Sequence, residues 1–393
     1  MLGVGRTSIS ANLILAKTRT LIYDLCMDNA AEEDWRVLCS LFPAGWGEQA
    51  KLSGAMARGR GIRSPELLLR LFLLHVGRGY SLRETAVRAK QAQLSEISDV
   101  GLLKRLRRSE AWLRWLCVQL LAENGVKLTG PEVGQRRLRI VDATIVKEPG
   151  PTGSQWRILY SLRLPELECD FFELTSTAGV GNGESFSRVP VSRQDLLLAD
   201  AGYSKAPGLQ SLVGQGADVV VRVNPHSLPL VDESGVPLKL LDKLKTLQTA
   251  GQVGEWKATP AGTQVSGRIC AVRKSAEAIQ RAHRRIARRA SQRQTRTKPE
   301  TREYAQYVVV FTTEMSASTQ VILEWYRVRW QIELAFKRLK SLAQLGHLPK
   351  HDERSSRAWL YGKLFVALLT QKLIRLGRTI SPWGCLLSTP APE

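Results

Sequence analysis

A succession of short apolar segments, which starts after Gly130-Pro131, constrains the fold more than any other feature of this chain. The first three segments follow one another closely and are separated by turn residues, and two more come later with a short helical pattern between them. The five segments are residues 138–141, 156–162, 169–174, 196–199 and 218–223. Consecutive strands followed by an alternation of helix and strand predict an α/β layer.

An aspartate directly follows two of these predicted strands. Asp142 comes after residues 138–141, and Asp200 comes after residues 196–199. A carboxylate at the end of an apolar strand is costly to bury unless it is paired or bound to a metal ion. If the two strands are neighbours, the two aspartates lie side by side. An ordinary role as a turn residue or a helix cap would also explain each aspartate taken alone.

A third carboxylate, Glu333, lies in a helical pattern near the C-terminus. Tyr326, Arg329, Glu333 and Lys340 fall within roughly 60° of arc on one helical face when each residue turns the helix by about 100°. Apolar residues gather on another face, which can pack against a core. That set is Val328, Ile332, Ala335, Leu339 and Leu342.

Together with Asp142 and Asp200, Glu333 would complete a set of three hard oxygen ligands suited to Mg²⁺ or Mn²⁺. A solvent-facing helix is the alternative explanation of the same spacing. In that case Glu333 forms i,i+4 ion pairs with Arg329 and Lys337.

Net charge indicates the class of partner. The 393 residues contain 57 Lys and Arg against 36 Asp and Glu, which gives a net charge of +21. Such an excess favours a nucleic acid, and no stretch approaches the ~18–20 apolar residues that a membrane span needs. Residues 271–300 carry ten Lys or Arg and two Glu, and they predict a basic amphipathic helix that lies on a phosphate backbone. A solvated face is the alternative for this helix.

The spacing of Tyr326, Arg329, Glu333 and Lys340 resembles the YREK motif of bacterial cut-and-paste DDE transposases, in the family named after insertion sequence four. The resemblance covers roughly residues 64–374 and includes Asp200-Ala201-Gly202-Tyr203, which is similar to the family's second-aspartate pattern. It implies a ribonuclease H-like catalytic core that carries the first Asp on the first strand, the second on the fourth and the Glu on a later helix. A mainly β insertion is expected between the second Asp and the Glu.

The same resemblance implies what the site residues do. Asp142, Asp200 and Glu333 would be catalytic and would hold Mg²⁺ or Mn²⁺, two ions in all, while Tyr326, Arg329 and Lys340 would hold DNA phosphates. The enzyme would cut double-stranded DNA at the ends of its mobile element and join the 3′ ends to target DNA. A homodimer assembled on two DNA ends, acting at the nucleoid in the bacterial cytoplasm without a membrane partner, is also implied.

Four units are therefore expected. Residues 1–130 form a helical, DNA-end-binding domain, in which Ser64, Ser81 and Ser98 are predicted to cap helices. Residues 131–224 and 304–350 form the ribonuclease H-like core, residues 225–303 the basic insertion, and residues 351–393 a helical segment. One long helix over residues 356–376 has an apolar face that serves either subunit pairing or core packing.

Two other functions fit the sequence features less completely. A metal-dependent nuclease of the same fold would cut without strand transfer. A non-catalytic DNA-binding regulator, derived from a decayed transposase, would keep the basic surface and would gain nothing from three carboxylates facing DNA.

Overall fold

The computed structural model describes residues 31–56, 61–123, 136–148, 155–178, 183–341, 343–346, 348–349 and 352–378. The domain boundary predicted at Gly130-Pro131 lies outside these residues. In the described part, none of the helices is both long enough and apolar enough to cross a membrane.

Between residues 31 and 123 the described chain is helical. Three of its helices begin after a serine whose side chain accepts a hydrogen bond from a backbone N–H three residues further on, as predicted for Ser64, Ser81 and Ser98. The helices are α1 (Ala31–Ser40), α2 (Trp46–Leu52), α3 (Pro65–Arg78), α4 (Leu82–Gln91), α5 (Asp99–Arg108) and α6 (Glu110–Glu123).

The strands of the described residues form one mixed sheet in the order β3-β2-β1-β4-β5-β9-β8-β7-β6. β1, β2 and β3 are antiparallel, and β4 and β5 run parallel to β1. All five predicted strands are present, and so is a later strand before the Glu333 region. The bounds are β1 Arg137–Lys147, β2 Gln155–Arg163, β3 Glu168–Ser176, β4 Asp195–Ala199, β5 Asp218–Arg222, β6 Leu230–Val231, β7 Val253–Pro260, β8 Gly267–Arg273 and β9 Tyr307–Thr312.

The segment at 225–303 differs from its prediction as a mainly β insertion. Besides β6, β7 and β8 it contains α8 (Leu240–Lys245), α9 (Ala276–Gln292) and α10 (Pro299–Tyr304), so more of its residues are helical than extended. The prediction is therefore wrong about composition. Its strands also continue the main sheet, because β8 pairs antiparallel with β9 over residues 268–273.

Helices cover both faces of the sheet. On one face, α7 (Ala206–Gly214) buries Leu209 against the side chains of β4 and β5, next to Leu244 of α8. On the other face, the N-terminal helices and three later helices bury one large apolar core with the opposite side chains of the same strands. These later helices are α11 (Thr319–Val328), α12 (Gln331–Ser341) and α13 (Glu353–Arg378).

The long helix predicted for residues 356–376 is present as α13, and it lies inside this core. Its Phe365 is fully buried, with its ring centroid 5.6 Å from that of Phe42. Before the first turn of α13, Asp352 accepts a hydrogen bond of 2.9 Å from Arg107 of α5. In the described residues, the predicted C-terminal segment therefore packs as part of the N-terminal helical layer.

Candidate functional site

Asp142 and Asp200, expected side by side if their strands are neighbours, belong to adjacent parallel strands. The β1–β4 ladder ends with Val141 opposite Ala199. Asp142 directly follows Val141, and Asp200 directly follows Ala199. β4 stops at Ala199, whereas β1 continues to Lys147, so Asp142 lies inside its strand and not after it as predicted. Because the ladder with β4 ends at Val141, the backbone of Asp142 is paired with β2 and not with β4.

Backbone N–H groups fix one oxygen of each aspartate. Asp142 Oδ1 accepts a hydrogen bond of 2.8 Å from the N–H of Ala143. Asp200 Oδ1 accepts one of 2.7 Å from the N–H of Gly202, at the start of a short 3₁₀ turn (Ala201–Tyr203). The second oxygen, Oδ2, of each carboxylate takes no part in these backbone hydrogen bonds.

The environment of Asp142 disfavours its charged form. The pKa of Asp142 is raised to about 7 by the combined environment: burial is the largest cause and the nearby carboxylates Asp200 and Glu184 also raise it, while the Ala143 N–H and the Arg329 guanidinium lower it. A buried carboxylate beside like charges is stable as an ion only when a cation approaches it. The position is thus electrostatically suited to bind one.

The helix predicted to carry Tyr326, Arg329, Glu333 and Lys340 is interrupted. α11 ends at Val328 and α12 begins at Gln331, with a turn at Arg329 and Trp330 in which the N–H of Glu333 bonds the carbonyl of Trp330 at 3.0 Å. The prediction of one continuous helical face is therefore wrong. The break contains neither glycine nor proline, and no local sequence signal marks it.

Arg329 lies at this break and joins two of the predicted carboxylates. Its Nη2 donates to Glu333 Oε1 at 2.7 Å, and its Nη1 donates to Asp142 Oδ2 at 3.5 Å. The Arg329 side chain is 15% exposed and that of Glu333 is 61% exposed. The i,i+4 pair of the alternative interpretation thus forms, but its arginine also reaches Asp142 at the edge of the sheet.

The remaining two residues of the motif differ in position. Tyr326 is buried at the end of α11; burial raises the pKa of its hydroxyl and Arg329 and Arg222 lower it, so it lies among the charges of the site. Lys340 is exposed near the end of α12, and none of the described hydrogen bonds or ion pairs joins it to the three carboxylates.

Sequence reasoning missed a fourth carboxylate at this edge, Glu184. A Cβ placed on Gly202 would lie 2.3 Å from Glu184 Oε2 and 3.0 Å from Asp200 Oδ1, so both carboxylates crowd the glycine. Burial raises the pKa of Glu184, and Asp200 raises it further. Glu184 precedes a short 3₁₀ turn (Phe186–Arg188) in an irregular segment, where no periodic pattern could have marked it.

Sequence reasoning also missed a cation, Arg222. The β4–β5 ladder ends with Ala199 opposite Val221, and Arg222 is the next residue on β5. Asp142, Asp200 and Arg222 therefore occupy neighbouring positions across the chain segments of β1, β4 and β5. Arg222 is exposed. The rule that drew attention to Asp200, a charged residue at the end of an apolar strand, would have found Arg222 as well.

These donors are of the kind that a divalent metal ion prefers. Asp142, Asp200 and Glu184 bring hard carboxylate oxygens together, and the raised pKa of Asp142 indicates a place where a cation is favourable. Within the described residues, no group of three or more acidic, histidine or cysteine side chains is already arranged to hold a metal ion. Glu333 accepts a hydrogen bond from Arg329, and it would have to give up this bond to bind a metal ion together with Asp142, Asp200 and Glu184.

Comparison with known proteins identifies the family. The family described as Transposase DDE domain matches residues 184–369, which include Asp200 and Glu333. The putative transposase InsL of insertion sequence element IS186A from Escherichia coli K12 is 31% identical over 358 residues, covering 88% of this chain and 95% of the relative. The transposase of IS421 from Escherichia coli is 31% identical over 359 residues with the same coverage.

A more distant relative is the transposase of IS231F from Bacillus thuringiensis subsp. israelensis, 23% identical over 267 residues, which are 60% of this chain and 56% of the relative. The matches to the Escherichia coli enzymes extend over nearly their whole length. This chain belongs to the DDE transposases of bacterial insertion sequences.

Proposed function

We propose that this transposase cleaves DNA at the ends of its own mobile element and joins the freed 3′ ends to target DNA by metal-dependent phosphoryl transfer. The observation that carries the proposal is the side-by-side placement of Asp142 and Asp200, with Glu333 linked to Asp142 through Arg329. A DNA-binding protein without catalysis would gain nothing from these carboxylates beside DNA phosphates.

The order of the first five strands supports a ribonuclease H-like core. β1, β2 and β3 form an antiparallel meander, and β4 and β5 add in parallel on the other side of β1, with α7 between them. The first aspartate lies on the first strand and the second follows the fourth. This arrangement agrees with the one that the resemblance to the insertion-sequence-four family implies.

Asp142, Asp200 and Glu333 are the residues proposed to hold Mg²⁺ or Mn²⁺, two ions in all. When bound, such ions activate the attacking oxygen and stabilise the leaving 3′ oxygen. Arg329 would turn its planar fork from the two carboxylates to phosphate oxygens near the cut. Tyr326 and Lys340 would also hold phosphates near the cut, Lys340 as a point charge.

The partners follow from the same proposal. Double-stranded element ends and target DNA are the substrates, and the helical N-terminal part is the proposed end-binding domain. In it, α5 carries the cations Lys104, Arg105, Arg107 and Arg108. We place the reaction at the nucleoid in the bacterial cytoplasm, carried out by a homodimer on two DNA ends.

The test uses the purified full chain and a DNA fragment that carries the element's ends, incubated with Mg²⁺, Mn²⁺ or EDTA. Nicking at the element boundary that requires metal, and that disappears in Asp142→Asn and Glu333→Gln while end binding persists, is the expected result. Undiminished cleavage by both variants would refute the assigned site. End binding without cleavage under every metal condition would instead favour the non-catalytic regulator, and cleavage without joining would favour a nuclease.

A further inference from the structure

We infer that the duplex of the element's end runs from the catalytic edge, the sheet edge that carries Asp142 and Asp200, past Arg222 and Lys274 onto helix α9, whose exposed arginines bind its phosphates. The inference rests on the proposed function and deepens it, because it assigns the path of the DNA beside the cut. It concerns a surface that lies outside the three carboxylates and the Tyr326–Lys340 region.

Helix α9 is unusually exposed for its length. It spans 17 residues, none of them buried, and it is about 25 Å long at a rise of 1.5 Å per residue. Its N-terminus is fixed by Ser275, which accepts a hydrogen bond from the N–H of Ala278. Five of its arginines are exposed: Arg281, Arg284, Arg285, Arg288 and Arg289.

These cations are not used to stabilise the fold. None of the described carboxylates forms an ion pair with Arg284, Arg285, Arg288 or Arg289. A row of like charges without counter-charges costs energy through self-repulsion unless a polyanion neutralises it. Duplex DNA presents one phosphate per ≈1.7 Å of its axis, so a helix of this length can meet several phosphates at once.

The opposite side of α9 attaches it to the protein. Ile279, Ala282, Ile286 and Ala290 are half-buried along one stripe. Ile286 lines a cavity of about 220 Å³ together with Arg222 and Tyr304. An imidazole nitrogen of His283 lies 3.0 Å from the carbonyl oxygen of Arg302. The helix is thereby held with its arginines outward.

Two cations connect α9 with the catalytic edge. Arg222 lies beside Asp200 at the end of β5 and, with Ile286, lines the cavity under α9. Lys274, which precedes α9, is near both Arg222 and Arg285: its ammonium donates a hydrogen bond of 2.7 Å to the carbonyl of Ala305, and burial together with these two arginines lowers its pKa to about 8. Positive charge therefore continues from the site to the helix.

This continuity selects the element's end as the occupant. A phosphodiester held at Asp142 and Asp200 is covalently continuous with the duplex of that end, so the adjoining charged surface meets the same DNA molecule. Target DNA enters the reaction only when the ends have been cut. Contacts to phosphates alone also predict that α9 adds affinity without reading sequence.

The test compares two triple variants of the full chain on a fragment that carries the element's end. Arg284→Ala/Arg285→Ala/Arg288→Ala removes three charges from α9, where alanine preserves the helix. Lys239→Ala/Lys243→Ala/Lys257→Ala removes three exposed charges from the part of the segment at 225–303 that precedes α9. We expect the slope of log K against log salt to decrease in magnitude by about 2.7 for the first variant, since each phosphate contact contributes about 0.9, and to change little for the second.

Hydroxyl-radical footprinting of the same complexes locates the contact. The arginine variant is expected to lose protection over roughly seven base pairs next to the cut, the length of duplex that α9 can span at 3.4 Å per base pair, and Arg222→Ala is expected to lose the part nearest the cut. An unchanged slope and footprint in a folded arginine variant would overturn the inference. The inference would also be overturned if the arginine variant kept an intact end footprint and failed only to capture target DNA.

Failure of the proposed function would give a different result. If the wild-type chain binds the end and does not cleave it with any metal, the catalytic proposal fails. The salt slope and the footprint still decide whether α9 binds the duplex.

Discussion

The guanidinium of Arg329 lies 3.5 Å from the carboxylate of Asp142, a residue 187 positions earlier in the chain. The same guanidinium is 2.7 Å from Glu333. Arg329 thereby joins the sheet edge to the helix break, and its positive charge lies between two carboxylates that we propose as metal ligands. The proposed binding of metal ions and of phosphate would both require this arginine to change partners.

Replacing Arg329 should consequently separate metal affinity from catalysis. Arg329→Ala removes a cation that competes for Asp142 and Glu333, so we expect Mn²⁺ to bind several-fold more tightly, as measured by titration calorimetry. End cleavage should nevertheless fall, because the phosphate fork is lost. Arg329→Lys keeps the charge but lacks the two-pronged geometry, so its Mn²⁺ affinity should lie between those of the wild type and Arg329→Ala. Equal Mn²⁺ affinities in all three proteins would contradict the bridging role.

The second prediction concerns the stability of the metal-free protein. Burial raises the pKa of Asp142 from 3.8 to about 7, so the folded chain binds this proton more tightly than the unfolded chain. The free energy of unfolding should then fall as the pH rises from about 4 to about 7. Asp142→Asn removes the buried charge and should raise the free energy of unfolding at pH 8 by on the order of 2 kcal/mol.

The measurement is urea unfolding in EDTA at pH 5 and pH 8. The increase in the free energy of unfolding that Asp142→Asn gives over wild type should be larger at pH 8 than at pH 5. Asp242→Asn, at an exposed position in α8, is the control and should change little at either pH. A loss of stability in Asp142→Asn at pH 8 would show that the charged form is well accommodated without metal.

The positions of Asp142 and Asp200 beside short apolar runs could be predicted from local rules, whereas their side-by-side placement also requires β1 to pair with β4. Each aspartate directly follows a short apolar run, and side-by-side strands bring such positions together. Arg222 satisfied the same rule. Glu184 could not be found in this way, because it reaches Asp200 from an irregular segment through the space that Gly202 leaves.

Features that depend on contacts far apart in the chain could not be predicted. The turn at Arg329 and Trp330 has no helix-breaking residue, and it coincides with the contact of Arg329 to Asp142 on a distant strand. The strands of residues 225–303 were expected, but their addition to the core sheet depends on the pairing of β8 with β9. The packing of α13 on the N-terminal helices is equally non-local.

The third prediction assigns Glu184 a part in metal binding. Because its carboxylate lies close to Asp200, Glu184→Gln should weaken Mn²⁺ binding several-fold while end binding by the metal-free protein persists. Gly202→Ala should have a similar effect, since the added methyl group would displace Glu184 or Asp200. Glu233→Gln, in an exposed turn after β6, is the control. Unchanged Mn²⁺ affinity in Glu184→Gln would limit the ligands to the three original carboxylates.

The last prediction decides between packing and subunit pairing for α13. Phe365 is fully buried against Phe42, so Phe365→Ala should lower the free energy of unfolding by about 3–5 kcal/mol in chemical denaturation. Leu376 of the same helix is 39% exposed, and Leu376→Ala should change stability by less than about 1 kcal/mol. If α13 instead served mainly to pair subunits, Phe365→Ala would leave the unfolding of the monomer nearly unchanged. Sedimentation at several protein concentrations would then show weaker self-association.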